Sequence, residues 1–438
     1  MTELPHGWAS TTLGEIAETQ LGKMLSARAR TGNSGRAYLR NKNVQWGRLD
    51  LDDVFRMDFS DAEFEKFRLR EGDLLVCEGG EVGRAAIWRG QLPECAYQKA
   101  LHRVRPRGGV QPEFLLYLFT HYSHARRFDE YVTGSTIKHL PQEDVRLLPV
   151  PLPPLAEQRR IVAAIEEQLS RLDAASLLLA SARKRARVLR EGALAAAFDS
   201  HGPRRELRDV LREPLRNGYS AKASPDGTTR VITLSAVTRG EFSERNTKLA
   251  HVDAERASRL WLEPGDILIE RSNTPELVGT AALYDGPRHW AIYPDLLIRL
   301  RMNDLVTPDY VALALQTPAV RRYFQRSAQG IAGSMPKISQ DTIERLKIPV
   351  PPRAEQAALV ERVDAALSRV AAVTAAAEEA ARRADGLRAS ILAGAFRGEL
   401  VPQDPDDEPA TVLLERIAAE RAASAPARPL RKRVQAAR

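Results

Sequence analysis

A six-residue motif occurs twice in this chain and constrains its fold more than any other feature. It reads Pro-Pro-Leu-Ala-Glu-Gln from Pro153 to Gln158, and Pro-Pro-Arg-Ala-Glu-Gln from Pro351 to Gln356, 198 residues later. A helical pattern follows each copy, and proline is tolerated at a helix start because the first amides have no intrahelical acceptor. Since an internal repeat fixes the architecture, we interpret the 438 residues as two copies of one unit, each ending in a long helix.

The stretches before the two helices also correspond. Short strand-like runs alternate with Gly and Asp turns across residues 36–105, and similar runs recur across 230–300. A helical pattern follows in each copy, from Pro112 to Phe128 and from Pro308 to Phe324. The pattern predicts an α+β protein with two similar α/β domains and two long helices.

Apolar residues recur at alternating steps of three and four along both helices, which is the spacing of a coiled-coil seam. Larger residues in the first helix and alanines in the second favour packing of the two helices on each other. The alternative is two surface helices, each packed on its own domain. Each helix is expected to span about 44 residues, or roughly 65 Å. The predicted seam comprises Val162, Ile165, Leu169, Leu172 and Leu179 in the first helix and Val360, Val363, Leu367, Val370 and Ala377 in the second.

These features divide the chain into five segments. We predict a globular domain over residues 1–152, a long helix over 153–200, a second domain over 201–350 and a second long helix over 351–400. Residues 401–438 form an acidic linker, one short amphipathic helix and a basic tail.

The net charge of the chain is +8, and its isoelectric point is about 9.5. A basic balance favours a polyanionic partner, usually nucleic acid, although a proteome rich in arginine gives the same balance without one. No apolar run is long enough to predict a membrane-spanning helix, and no secretory leader is expected at the start. The two cysteines, Cys77 and Cys95, lack metal-ligand spacing and suit a reducing cytoplasm.

Motifs of catalysis are missing from the sequence. It has no phosphate-binding GxxxxGK(S/T) loop, no glycine-rich cofactor loop and no Asn-Pro-Pro-Tyr methylation motif. Asp73 and Glu78 have the spacing of a nuclease acidic pair, but Gly80 occupies the position where a lysine is needed, and the second copy fails in the same way. We therefore predict a chain that is not catalytic by itself and holds no metal or cofactor.

Base readout requires Arg, Lys, Asn and Gln on exposed segments, and phosphate contact requires Lys, Arg, Ser and Thr. The strongest cluster covers residues 40–46 of the first domain, although a solvated turn with Trp46 in the core explains it equally well. The candidates in the first domain are Lys23, Arg28, Arg40, Asn41, Lys42, Asn43, Gln45 and Lys99. Those in the second are Arg216, Asn217, Lys222, Arg239, Arg271, Asn273, Ser334 and Lys337.

In these features the chain resembles the DNA-specificity subunits of type I restriction–modification systems. The resemblance rests on the opening Leu4-Pro5-x-Gly7-Trp8, the Gly-Ser loops at 134–135 and 333–334, the duplicated helix start and the ending over 395–405. It covers nearly the whole chain, and the order and duplication of the motifs are more specific than any one of them.

The resemblance implies two target-recognition domains that read the halves of a split, asymmetric site on double-stranded DNA. It implies long helices that pair as an antiparallel coiled coil and set the distance between those domains. Two methyltransferase subunits and two restriction subunits are the implied partners, with S-adenosylmethionine, ATP and Mg expected on them. Thr136 and Lys138 become candidates from their place in the Gly-Ser loop. The alternative is a coiled-coil adaptor with two protein-binding domains and no DNA readout.

Overall fold

The computed structural model describes residues 4–26, 35–134, 138–199, 202–330 and 335–424. Its helices are α1 (Leu13–Ile16), α2 (Asp61–Phe67), α3 (Pro112–His124), α4 (Gln142–Leu147), α5 (Leu155–Phe198), α6 (Ala254–Ser258), α7 (Pro308–Gln316), α8 (Pro318–Ser327), α9 (Gln340–Glu344), α10 (Arg353–Phe396) and α11 (Ala410–Ser424). Over the described part of the chain, no helix is both long enough and apolar enough to cross a membrane.

The strands of the first copy are β1 (Ala9–Thr12), β2 (Ala17–Leu21), β3 (Gly35–Leu39), β4 (Val44–Gln45), β5 (Arg48–Leu49), β6 (Phe55–Asp58), β7 (Leu74–Cys77), β8 (Ala85–Ile87), β9 (Ala96–Tyr97), β10 (Leu101–Pro106) and β11 (Pro149–Leu152). Those of the second copy are β12 (Arg204–Glu206), β13 (Arg216–Asn217), β14 (Thr229–Ile232), β15 (Thr247–Ala250), β16 (Ile267–Glu270), β17 (Ala281–Leu283), β18 (Leu297–Leu300) and β19 (Lys347–Pro349).

The chain divides into two compact units. Unit 1 contains the residues up to Leu177 together with those from Ala381 onward, and unit 2 contains Leu178 to Ala380. The long helices α5 and α10 therefore each contribute one part to unit 1 and the other part to unit 2.

Unit 1 is built on the antiparallel sheet β2-β10-β7-β8, with a second sheet of order β6-β3-β9. Strand β1 pairs with β11, so the start and the end of the domain meet, with Ala9 opposite Leu152. The largest core places Phe114 and Phe119 of α3 with Leu74 and Val104 of the first sheet, because alternate residues of each strand point to the same face.

Unit 2 repeats this arrangement in the sheet β13-β18-β16-β17, and β12 pairs with β19. The single helix predicted over Pro308–Phe324 is two helices, α7 and α8. Pro318 has no amide hydrogen to continue α7, and the Thr317 hydroxyl caps α8 by accepting a hydrogen bond from the Val320 amide.

Both long helices are 44 residues long, and each predicted seam residue is buried or half-buried. In unit 1, Ile161 and Ile165 of α5 share a core with Leu392 and Phe396 of α10. Further along, Arg388 donates to Asp173 at 2.5 Å. The residue numbers fall on α10 as they rise on α5, which is the mark of antiparallel pairing.

The same order holds within unit 2. Phe198 of α5 shares a core with Leu359 and Val363 near the start of α10, while Arg183 donates to the carbonyl of Ala377 at 3.4 Å. The helices thus pair antiparallel within each unit and also pack on the domain of that unit. Each of the two alternatives is therefore partly correct, because the helices contact each other and also contact the domain of their unit.

The glutamine of the repeated motif has the same structural role in both copies. Gln158 accepts from the Gln111 amide at 3.1 Å and donates to the Pro153 carbonyl at 2.9 Å. Gln356 makes the same pair of bonds: it accepts from the Thr307 amide at 2.9 Å and donates to the Pro351 carbonyl at 2.8 Å. Both side chains are fully buried, so each ties the start of a long helix to its own domain.

Helix α11 packs on unit 1 near the beginning of the chain. The Ala410 amide donates to the Gly7 carbonyl at 2.9 Å, and Arg160 and Asp407 form an ion pair at 2.6 Å. Leu413 and Ile417 are each 1% exposed and join the core of unit 1. Helix α11 is therefore part of that core.

Candidate nucleic-acid interface

A loop follows the central strand of each domain and lies beside the end of the Gly-Ser loop. In unit 1 an antiparallel bridge joins Gly79 to His139, and in unit 2 one joins Ser272 to Lys337. The Ile338 amide also donates to the Arg271 carbonyl at 2.9 Å. Segments that are distant in sequence therefore form one surface in each domain.

In unit 1 this surface includes the predicted cluster at 40–46. The Asn41 amide donates to the Gly79 carbonyl at 2.8 Å, and its oxygen accepts from Arg84 at 2.8 Å. The Trp46 indole donates to Glu81 at 2.6 Å. Asn41 thus joins two loops, and Trp46 is a half-buried residue of this surface.

Several of the predicted side chains of unit 1 remain accessible. Lys42 is 68% exposed in its side chain and lies 2.9 Å from Asp53, and Gln45 donates to the Lys42 carbonyl. Lys138 pairs with Asp129 at 2.5 Å, and Lys99 is exposed. Exposed ion pairs of this kind contribute little to stability, so these cations can exchange partners at small cost.

Other predicted residues of unit 1 hold the fold. Asn43 is 1% exposed and donates to the carbonyls of Asp50 and Asp53. Arg40 is 16% exposed in its side chain, pairs with Asp53 and lies 3.5 Å above the ring of Phe55. Lys23 donates to Glu63 at 2.8 Å and to the Asp58 carbonyl at 2.7 Å. These side chains are bonded within the domain, although the buried Nε of Arg40 has no hydrogen-bond partner among the described residues.

A buried carboxylate supports the corresponding surface of unit 2. Glu270 is fully buried and accepts hydrogen bonds from Thr238 at 2.6 Å and from Asn273 at 2.9 Å. Burial raises the pKa of Glu270, while the two hydrogen bonds act in the opposite direction. Asn273 is buried too, so it positions the loop that carries Arg271 and Thr274.

The remaining predicted residues of unit 2 divide in the same way. Arg216, Lys222, Arg239 and Lys337 have exposed side chains. The Asn217 oxygen accepts from Gln340 at 3.0 Å and is half-buried.

Three predicted residues, Arg28, Thr136 and Ser334, lie outside the described residues.

Arg84, Arg321 and Arg322 lie on the surfaces just described or beside them and were not predicted from the sequence. Arg84 has no cluster of polar residues around it, whereas Arg321 and Arg322 stand in the polar stretch Arg321-Arg322-Tyr323-Phe324-Gln325-Arg326, which was a usable signal. The Arg187 and Arg190 side chains of α5 were missed as well, although the basic run from Arg183 to Arg190 was a usable signal.

Among the described residues, no group of three or more His, Cys, Asp or Glu side chains is able to hold a metal ion. Asp73 accepts from Arg105 at 2.6 Å and supports the sheet. Burial raises the pKa of the Cys77 thiol to about 11 and that of Cys95 to about 12, so neither is a ready nucleophile.

Comparison with known proteins gives one consistent family. Residues 5–180 match the family model of the type I restriction modification DNA specificity domain. The chain is 26% identical to the EcoKI specificity subunit of Escherichia coli K12, over 98% of this chain and 99% of that protein. It is 25% identical to the StySPI specificity subunit of Salmonella potsdam, with the same coverage of each chain.

A solved chain from work on complex assembly and conformational transition of the type I R-M system has a similar fold. The TM-score is 0.72 at 21% identity, covering 91% of this chain and all of that chain.

Proposed function

We propose that this chain, which belongs to the specificity subunits of type I restriction–modification systems, recognises a bipartite and asymmetric DNA site for such a complex. We assign the two target-recognition domains to residues 1–152 and 201–350. The spacer helices are assigned to 153–200 and 351–400, and the C-terminal segment to 401–438.

One observation carries this proposal: the same loop surface occurs in both domains with different side chains on it. Lys42 and Gln45 lie on it in unit 1, and Thr274 and Lys337 lie on it in unit 2. Base edges in the major groove differ in donor and acceptor pattern, so different side chains select different bases. Because the two domains carry different side chains, we expect the two halves of the DNA site to differ in sequence.

Accessible and framework residues have different roles within this proposal. The proposed DNA contacts come from the exposed Lys42, Lys99, Lys138, Arg216, Lys222, Arg239 and Lys337, from the half-buried Gln45 and Arg271, and from Arg28, Thr136 and Ser334. The occupied side chains of Lys23, Arg40, Asn41, Asn43, Asn217 and Asn273 hold the loops in position.

The long helices suit a spacer between the two readers. An uninterrupted helix of 44 residues extends for about 65 Å. Half-sites must match the DNA repeat of about 34 Å per turn, so a stiff connection preserves a register that a flexible linker would lose. Two fixed readers also lengthen the site and raise the specificity ratio.

Apolar side chains on the helices support the docking of partner subunits. In unit 2, Leu178, Leu189 and Val373 are 72%, 64% and 52% exposed and line a groove of about 320 Å³. Exposed apolar patches of this kind mark protein interfaces. Two methyltransferase subunits are the proposed occupants of the helices, with two restriction subunits joining the complex. We place the complex in the cytoplasm, with S-adenosylmethionine, ATP and Mg on the partners.

In this proposal the chain recognises DNA, and adenine methylation and DNA cleavage are carried out by the other subunits. The adaptor alternative lacks support, because the relatives are specificity subunits and the loop surfaces carry exposed cations.

Methylome sequencing of cells that express the chain with its methyltransferase subunits tests the proposal. The expected result is one split motif with two unlike halves, lost when the chain is deleted. A single continuous motif, or methylation that persists without the chain, contradicts it.

A further inference from the structure

A cleft in unit 2 is lined by five arginines that no sequence motif had brought together. It has a volume of about 470 Å³ and lies between α5, α8 and the segment that precedes Gly240. Glu191 and Glu276 are the acidic residues of its lining, so cations outnumber carboxylates there. The arginines are Arg187, Arg190, Arg239, Arg321 and Arg322.

These arginines are largely free of carboxylate partners. Within the described part of the chain, the exposed side chains of Arg239 and Arg322 make no hydrogen bond or ion pair. Arg190 donates to the neutral amide of Gln316 at 2.6 Å, and Arg187 lies 4.0 Å from the exposed carboxylate of Glu191. An exposed contact at that distance has little strength.

Arg321 is the most enclosed of the five. It donates to the carbonyls of Val278 and Glu276 at 3.1 and 2.8 Å, and both acceptors are neutral. Burial lowers its pKa, with the carboxylate of Glu270 acting in the opposite direction. An anion in the cleft would supply the negative counter-charge that the neutral acceptors of Arg321 do not provide.

The cleft also adjoins the surface assigned to base contacts. Thr238 lines the cleft and donates to one oxygen of Glu270, and the other oxygen of Glu270 holds Asn273. The cleft is therefore two hydrogen bonds from the loop that carries Arg271. Guanidinium groups match phosphate oxygens with two parallel hydrogen bonds, and phosphate contacts position a protein on the duplex.

We propose that this cleft binds the phosphodiester backbone of DNA beside the second half-site, independently of base sequence. This rests on the DNA-binding function proposed above and adds a contact that fixes the position of unit 2 on the duplex.

Three of the five arginines, Arg187, Arg190 and Arg239, have no free cation at the corresponding described position of unit 1. Trp46 occupies the position of Arg239, since each precedes a glycine of positive φ, at +69° and +80°. The residues that lie 198 positions after Arg187 and Arg190 are Asp385 and Arg388, and Arg388 is paired with Asp173. The phosphate contact is therefore assigned to unit 2 alone.

The test measures DNA binding by the complex of this chain with its methyltransferase subunits, at several salt concentrations. One duplex contains the motif that methylome sequencing identifies, and a second duplex lacks both halves of that motif. Binding constants of the Arg239→Gln, Arg322→Gln variant should depend less steeply on salt. The magnitude of the slope of log association constant against log salt concentration should decrease by about 2, one for each arginine. Affinity at 0.15 M salt should fall on the order of 30-fold on both duplexes alike.

Two further variants control for charge and folding. Arg259→Gln with Arg345→Gln removes two exposed arginines of unit 2 that are paired with Glu255 and Asp341, and it should leave the slope unchanged. Arg239→Lys with Arg322→Lys keeps the charges and should restore the slope.

The outcomes separate this inference from the proposed function. Wild-type complex that shows no preference for the motif overturns the proposed function itself. Wild-type preference with an unchanged slope in the Gln variant overturns the phosphate contact alone. A change of base preference in that variant also overturns it, since the arginines would then read sequence.

Discussion

Units 1 and 2 share a framework and differ in the residues that they expose on it. Asp73 accepts from Arg105 at 2.6 Å in unit 1, and Asp266 accepts from Arg301 at 2.6 Å in unit 2. Both central sheets have the same strand order. The framework is therefore held by side chains that recur in both copies.

The differences lie on the loop surfaces. Cys77 of unit 1 corresponds to Glu270 of unit 2, and Trp46 corresponds to Arg239. Unit 2 supports its loop with a buried carboxylate, whereas unit 1 uses the Asn41 amide together with Arg84. A duplicated fold can thus change what it binds while the residues that close its sheets stay the same.

The largest predicted effect separates the units by stability. Leu413→Ala with Ile417→Ala removes buried side chains of α11 from the core of unit 1, and each Leu or Ile truncation costs about 2–5 kcal/mol. Hydrogen exchange should accelerate in unit 1 and stay unchanged in the domain of unit 2. Val412→Ala, at a partly exposed position of the same helix, is the control. Equal acceleration in both units would contradict the assignment of α11 to unit 1.

A second prediction concerns a constraint that both units share. Gly83 and Gly279 have φ of +80° and +75°, and a Cβ on either would overlap Phe128 or Phe324. Alanine at either position should lower the free energy of unfolding by more than about 2 kcal/mol, since backbone strain adds to overlap.

Thermal unfolding of the two alanine variants checks this shared constraint. Gly90→Ala is the control, because its φ is also positive but a Cβ there meets nothing within 4 Å. A large loss in one unit and none in the other would show that the frameworks differ.

A third prediction tests whether each unit reads its own half-site. Lys42→Ala with Gln45→Ala should reduce discrimination in one half of the motif, and Arg271→Ala with Thr274→Ala in the other. A good base contact is worth about 1–3 kcal/mol, so discrimination should fall about 5- to 150-fold. Methylation rates on duplexes altered in one half measure it. The division of labour fails if either variant relaxes both halves.

The smallest predicted effect depends on pH and occurs in unit 2. Burial raises the pKa of Glu270, so the folded protein binds a proton at this carboxyl more readily than the unfolded chain does. The contribution of Glu270 to the free energy of unfolding is at its maximum below the ordinary pKa of glutamate. It decreases as pH rises through the raised pKa that Glu270 has in the folded protein. Glu270→Gln should therefore stabilise the protein at pH 7 and leave its stability almost unchanged near pH 4.

Chemical denaturation at the two pH values measures the effect of Glu270→Gln. Glutamine can donate to the Thr238 oxygen, because the Thr238 hydroxyl can donate to the Leu234 carbonyl at 2.9 Å. Cys77→Ser alters the corresponding position of unit 1 and should show no such dependence on pH. Equal stabilisation by Glu270→Gln at both pH values would contradict the raised pKa.

The fold followed from the sequence because its signals are periodic. Apolar spacing and the repeated Pro-Pro-x-Ala-Glu-Gln motif indicated both long helices, and strand-like runs indicated both sheets. The break between α7 and α8 was missed because a proline inside a helical pattern can either begin a helix or bend one.

The candidate site was less predictable. Asn43 and Lys42 are adjacent polar residues in one cluster, yet Asn43 is buried and Lys42 is exposed. The sequence cannot separate them, because a buried amide and a DNA-reading amide are the same residue type. The arginine cleft was hidden because its members are up to 135 positions apart, from Arg187 to Arg322.

By itself the sequence indicated the duplication, the helical seam and the family resemblance, because each depends on residue spacing along the chain. The tertiary structure decided which polar side chains are occupied and which are accessible. It also decided that α11 joins the core of unit 1 and that five arginines share one cleft. The physical reason is that burial and hydrogen-bond satisfaction depend on neighbours in space, which chain order alone does not specify.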